Sequence, residues 1–262
     1  VRFWPITREA LRLVLVRRWF IGLMVLAWLP FVVRVIQIYI VTRFPEAHRV
    51  LPVDGKLFGD YLSQQLLPAL IVTIFAGAGL VANDLRTGAI LVYLSRPLTR
   101  RDYVAGKLLV LVLLISSITL VPGLLLYVVA LALAPDQFVK WELAWIAPAI
   151  VLYSGVIALS LSLAALAVSS LSKSARVAGL GFFGVLMGLQ IVQTILFEAF
   201  DRPEGALLSI MTGVQTVGRA LFGIPGRRFE LDWPWAAAAL AAVALGCLAI
   251  LRSRVRAVEI VR

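Results

Sequence analysis

Residues 83–107 read NDLRTGAILVYLSRPLTRRDYVAGK, and their position between two charge-free apolar runs decides the fold. On the N-terminal side, residues 61–82 form 22 positions without a charged side chain, and residues 108–135 form 28 on the other. Further uncharged runs occupy 143–172, 177–197 and 233–251, and a sixth apolar run, 19–41, is interrupted only by Arg34. Each run is long enough to cross a hydrocarbon layer about 30 Å thick, which takes roughly 17–25 helical residues. Lipid tolerates only helices and closed barrels, and the alternating pattern of a barrel strand is absent. The chain reads as an all-α polytopic membrane protein. Six transmembrane helices are expected over 19–41, 61–82, 104–134, 143–171, 177–197 and 233–251.

Composition supports this. The 262 residues are 61% apolar and 15% charged, with mean hydropathy +0.97, whereas soluble domains carry about 25% charge. A net charge of +11 would point to nucleic acid in a soluble protein. Here its placement reports orientation. With both termini inside, segments 1–18, 83–107, 172–176 and 252–262 carry sixteen Lys/Arg against four acids. Segments 42–60, 135–142 and 198–232 carry eight against ten. That twofold basic excess places both ends in the cytoplasm and leaves no charge to be explained by nucleic acid. The single cysteine, Cys247, excludes an intramolecular disulfide and reads as a packing residue. The bulky stretch 19–33 lacks a small-residue cleavage site, so no cleavable signal peptide is expected.

Outside the spans, residues 1–18 read as an N-terminal amphipathic helix on the membrane surface, with Leu11, Val14 and Leu15 toward lipid and Arg17 and Arg18 toward headgroups. A cytoplasmic extension of the first span is the alternative. Pro45, Pro52, Asp54-Gly55 and Gly59 make 42–60 an irregular outer loop. Segment 198–232 carries a partly amphipathic helical pattern at Leu207, Leu208, Met211, Val214, Leu221 and Phe222. A seventh span there would put the arginines of 252–256 outside and Arg219 in lipid. Short outer-face or re-entrant helices, closed by Gly223, Pro225 and Gly226, fit better.

Catalytic chemistry finds no footing in this sequence. It contains one histidine, His48, and no zincin motif, nucleophile elbow or P-loop. No pair of intramembrane carboxylates is present to relay protons. The chain is expected not to be an enzyme, with no cofactor of its own.

The insert carries the positive case. Asn83 or Asp84 can cap a helix that continues through Thr87 to Leu94 and is stopped at Pro97. Thr99, Arg100, Arg101 and Asp102 then open a second helix leading through Lys107 into the third span. A plain amphipathic linker would show the same hydrophobicity profile, and the residues alone leave both readings open. The pattern Asp84-Leu85-Arg86, Gly88-Ala89-Ile90, Tyr93-Leu94-Ser95-Arg96-Pro97-Leu98-Thr99-Arg100, Asp102-Tyr103 and Gly106-Lys107 closely resembles permease subunits of ABC-2 type transporters. The resemblance implies a coupling helix at 84–97 that docks on a separate ATPase. Its coupling residues would be Asp84, Arg86, Thr87, Gly88, Tyr93, Arg96, Pro97, Arg100, Arg101 and Lys107. Many members have Glu and Gly-Thr where this chain has Asp84 and Gly88-Ala89. That departure bars transfer of a substrate from better-known members.

Polar residues inside the spans are candidates for a path. Arg34 either snorkels outward or faces a cavity together with Gln37, on the same side of the helix, with Pro30 positioned to kink the span. Gly184 and Gly188 permit close packing, and the serines of the fourth span also read as packing residues. The resemblance implies that spans 2 and 5 line a pathway between two permease copies. Gln64, Gln65 and Thr73 on span 2, and Phe183, Gln190 and Gln193 on span 5, join Arg34 and Gln37 as candidate path residues. The expected protein is an exporter permease of a bacterial or archaeal inner membrane. It would pair with a second permease copy and with ATPase subunits that bind ATP and Mg. A non-transporting membrane anchor is the rival, and an importer is disfavoured by the short cytoplasmic loops.

Overall fold

The computed structural model describes residues 4–16, 18–44, 53–88, 99–133, 143–200, 203–225 and 232–254, and every element among them is helical. Six helical segments are long and apolar enough to cross a membrane. Span 1 consists of α2 (Arg18–Ala27) and α3 (Leu29–Arg43). Span 2 consists of α4 (Gly55–Gln64) and α5 (Leu66–Thr87), and span 3 of α6 (Arg100–Ile118) and α7 (Leu120–Leu133). Spans 4 and 5 are the single helices α8 (Ile146–Leu171) and α9 (Ala175–Phe200). A 3₁₀ turn (Pro203–Leu208) and α10 (Ile210–Leu221) precede span 6, α11 (Trp233–Arg254). The N-terminal α1 covers Trp4–Leu15.

Three spans are broken, and each break lies two or three residues before a proline. Pro30, Pro68 and Pro122 have no N–H to donate to the carbonyls of Leu26, Gln64 and Ile118. The turns fall at Trp28, Gln65 and Thr119. The sequence reading anticipated a kink only at Pro30. Local hydrogen bonds close each break: Phe31 N–H donates to the Trp28 carbonyl at 3.1 Å, and Gln65 N–H to that of Leu62 at 3.1 Å. The Thr119 hydroxyl donates to the Ile115 carbonyl at 2.9 Å. The Gln65 amide goes further and ties two breaks together, donating from Nε2 to the Ala27 carbonyl at 3.1 Å and to the Tyr61 hydroxyl at 3.0 Å.

Two expected boundaries move. Residues 55–60 belong to span 2 rather than to an irregular loop, because the Asp54 side chain accepts from Leu57 N–H at 3.1 Å and so caps a helix at Gly55. An Asp-Gly pair serves a turn or an N-cap equally well, and here the cap prevails. α1 is a helix of its own, not an extension of span 1, and it packs on α6. Its Leu11 and Val14, expected toward lipid, pack against the protein core, while Leu13 and Leu15 are exposed.

Span 4 is the axis of the bundle. It contacts spans 2, 3, 5 and 6 as well as α10, and its residues 161–167 are buried on every side. A helix apolar all round must be enclosed. Spans 2 and 4 are buried over 67% of their apolar stretch, against 11% for spans 1 and 5.

α10 begins at Ser209, whose hydroxyl accepts from Thr212 N–H at 3.2 Å, and ends near Gly223 at φ 61°. It lies against spans 4 and 6. Gly218 on α10 is pressed onto the Tyr153 ring of span 4, where an added Cβ would lie 2.2 Å from the ring carbon. Tyr153 also stacks edge-on with Phe222 and shares a hydrogen bond with Ser63 at 3.2 Å. Substituting Gly218→Val is expected to destabilise the purified chain by roughly 1–3 kcal/mol through overpacking. Thermal unfolding in detergent measures it, and a companion Tyr153→Leu should recover part of the loss.

Candidate functional site

The connection between spans 2 and 3 is described at its two ends. α5 does not stop at Asn83 or Asp84 to start a new helix. It runs through Thr87, and Gly88 at φ 70° then caps it. Asn83 and Asp84 therefore sit in a last helical turn. A left-handed residue after a helix is the usual way to satisfy the final carbonyls, and glycine adopts it without a Cβ penalty. The hydroxyl of Thr87 donates back to the Asn83 carbonyl at 2.9 Å. At the other end, Thr99 Oγ accepts from Asp102 N–H at 3.2 Å, and the Asp102 carboxylate accepts from Thr99 N–H at 3.0 Å. This reciprocal capping box starts α6. Tyr93, Arg96 and Pro97, together with the rest of the expected coupling helix beyond Gly88, lie outside the described residues. So does the side chain of Arg100. Arg86, Thr87 and Arg101 are exposed.

Asp84 and Lys107, grouped in the sequence with the docking arginines, face each other instead. Lys107 Nζ lies 2.8 Å from Asp84 Oδ2, with side-chain exposures of 6% and 16%. The Tyr103 hydroxyl donates to the same oxygen at 2.8 Å, and the ammonium stands 5.7 Å from the Tyr103 ring centre. Tyr103 and Lys107 are four residues apart, so both project from one face of α6 toward α5. The Thr7 hydroxyl of α1 donates to the Gly106 carbonyl at 3.1 Å. Three helices thus meet at one buried ion pair. Such a pair persists only with good geometry and further hydrogen bonds, because desolvation costs each ion several kcal/mol.

Just before Asp84, the span 4 serine Ser169 enters the backbone of α5. Its hydroxyl donates to the Ala78 carbonyl at 2.8 Å and accepts from Val81 N–H at 3.3 Å and Ala82 N–H at 3.1 Å. Ala82 N–H and the Ala78 carbonyl are partners in a regular α-helix, so the hydroxyl bridges two groups of one ladder. Ala78, Ala82 and Ala178 pack together beside it and bring span 5 close.

A cavity of about 730 Å³ opens between α1, α2, α5 and α9. Its walls are apolar, including Phe20, Phe75, Leu80, Leu180 and Phe183, and Glu9, Asn83, Asp84, Lys107 and Arg176 are its polar lining. Of the eight candidate path residues, Phe183 alone lines this cavity. Gln65 is buried and occupied with the helix breaks. Thr73 is buried and donates to the Ala69 carbonyl at 2.6 Å. Gln64 is exposed on α4.

Arg34 donates to Gln37 Oε1 at 2.8 Å, both half-buried on span 1. Gln190 and Gln193 form a separate cluster. Gln190 Nε2 donates to Gln193 Oε1 at 2.9 Å, and Ser209 and Thr212 donate to Gln190 and Gln193 at 2.5 Å and 2.9 Å. That cluster fastens the start of α10 to span 5. Gly184 and Gly188 have no neighbour among the described residues where a Cβ would stand. The sequence reading assigned no role to Thr7 or to the Tyr103 hydroxyl and took Ser169 only as a packing serine, although the spacing of Tyr103 and Lys107 was available as a signal.

The family model described as ABC-2 family transporter protein matches residues 4–209, and the chain belongs to that family. It is an integral membrane component of a transporter. The matched region includes the ion pair, the cavity and spans 1 to 5, and ends where α10 begins. A comparison with curated proteins returns no match.

Removing one partner of the buried pair, as in Asp84→Leu, should cost about 3–5 kcal/mol by leaving Lys107 uncompensated. The double variant Asp84→Leu/Lys107→Met should recover most of that loss. Thermal unfolding of the full chain measures both, and equal losses in the single and double variants would rule out an energetic role for the pair.

Proposed function

We propose that this chain is the permease subunit of an ATP-driven exporter of a bacterial or archaeal inner membrane. Two permease copies would work with two separate ATPase subunits that carry ATP and Mg. Membership of the ABC-2 family supports the association with ATPase subunits in general. The observation that carries the coupling role is the ion pair between Asp84 at the end of span 2 and Lys107 at the start of span 3. Segment 89–98 is tethered at Gly88 and Thr99, and the two helices that receive it are locked to each other immediately beyond.

A displacement of that segment by an ATPase enters α5 and α6 as one body. It passes to span 4 through Ser169 and alters the packing of α5 on α9, both of which line the cavity. In this reading Arg86, Thr87, Tyr93, Arg96, Pro97, Arg100 and Arg101 contact the ATPase, while Asp84 and Lys107 transmit the push. Gly88 provides the corner between them. The chain performs no covalent chemistry and contributes the pathway and the coupling.

Replacing residues 89–98 with a flexible Gly/Ser segment of equal length should lower ATPase co-purification by at least about thirtyfold, the loss expected when interface hot spots are removed. The chain should still insert and elute as a single species. Asp84→Asn should leave co-purification intact and reduce the stimulation of ATP hydrolysis by the permease. Undiminished co-purification after the replacement would reject the docking role.

A further inference from the structure

The cavity between α1, α2, α5 and α9 has the two-part chemistry of an amphiphile site. Its volume of about 730 Å³ falls within the roughly 300–1,000 Å³ typical of small-molecule pockets. Leu13, Phe75 and Leu180 line it and are 71%, 57% and 73% exposed, so the cavity is open to its surroundings along that side. The polar lining carries both signs of charge. Glu9 and Arg176 are exposed there and have no ion-pair partner among the described residues.

Asp84 adds an unused acceptor. Lys107 and Tyr103 both bind its Oδ2, and Oδ1 has no partner among the described residues. Lys107, which presents three N–H donors, spends one on Asp84. An apolar body with a purely anionic head would meet Glu9 and Asp84, and one with a purely cationic head would meet Arg176 and Lys107. A head carrying both charges satisfies the two sets together, by charge-assisted hydrogen bonds.

We propose that this cavity binds one zwitterionic membrane lipid of the phosphoethanolamine class. Its phosphate lies toward Arg176 and Lys107, its ammonium toward Glu9 and Asp84, and its acyl chains against Phe75, Leu80, Leu180 and Phe183. The head then touches the ion pair that locks span 2 to span 3. This consequence for transport rests on the permease reading above, whereas the binding itself does not require an ATPase.

The test uses the full chain in nanodiscs containing phosphatidylethanolamine or phosphatidylglycerol with a photoreactive group in the acyl chain. Labelling of 74–84 and 175–183 should be roughly tenfold stronger with phosphatidylethanolamine. It should fall by a similar factor in Leu180→Trp, which fills the cavity from α9. Leu13→Trp, which fills it from α1, should act alike, so that the outcome does not depend on one variant folding. Glu9→Gln should erase the headgroup preference while leaving the chain monodisperse.

Equal labelling by both lipids, or labelling no stronger than at residues 191–195 on the same helix, would reduce the site to ordinary lipid contact and overturn the proposal. A disulfide between Leu180→Cys of two copies would overturn it too, by showing that a second chain fills the space. Failure of the unmutated chain to associate with any ATPase subunit, with labelling intact, would reject the permease reading and leave the lipid site standing.

Discussion

A peptide N–H or C=O in an apolar layer must find its partner inside the protein, and the interior of this chain is organised around the points where a helix cannot supply one. Pro30, Pro68 and Pro122 each withhold a donor, and a turn forms just before each of them. Residues at these breaks also join neighbouring spans. Gln65 closes the break in span 2 while holding the carbonyl of Ala27 at the break in span 1. Gln65 is thus one of the polar side chains inside the spans that fasten neighbouring elements together. Ser169 does the same for spans 4 and 2, and Gln190 and Gln193 for span 5 and α10.

The same economy governs the charges. Asp84 and Lys107 stand more than twenty residues apart in the sequence, and both are largely shielded from solvent. Buried singly, either would be intolerable. Together, with Tyr103 as a third member, they join the ends of the two spans that flank the segment the family resemblance assigns to the ATPase. Exposed arginines on both sides of the connection remain available for contact, so one short stretch divides into an outward set and an inward set.

Much of the architecture was legible because it follows from local requirements. Apolar runs of 19 residues or more separated by charged blocks have one solution in lipid, and the number of spans followed directly. The start of α6 was readable from Thr99 and Asp102, since a capping box involves neighbours within one turn. Boundaries were harder. Asp54-Gly55 serves a turn or an N-cap with the same residues, and Asn83-Asp84 begins a helix or ends one according to whether the apolar helix before it has stopped. In both places the longer helix prevailed.

The sequence by itself determined a six-span, all-helical membrane protein of the ABC-2 family, because hydrophobic length, charge blocks and the 83–107 motif are properties of contiguous residues. Only the tertiary structure decided which polar groups face one another. Asp84 meets Lys107, Ser169 meets the backbone of span 2, and Gln190 meets Ser209 across sequence separations of 19 residues or more. A helical period says which face a residue occupies. Which helix that face meets depends on packing the whole bundle around span 4, and that packing sets Lys107 against Asp84 and Gln190 against Ser209.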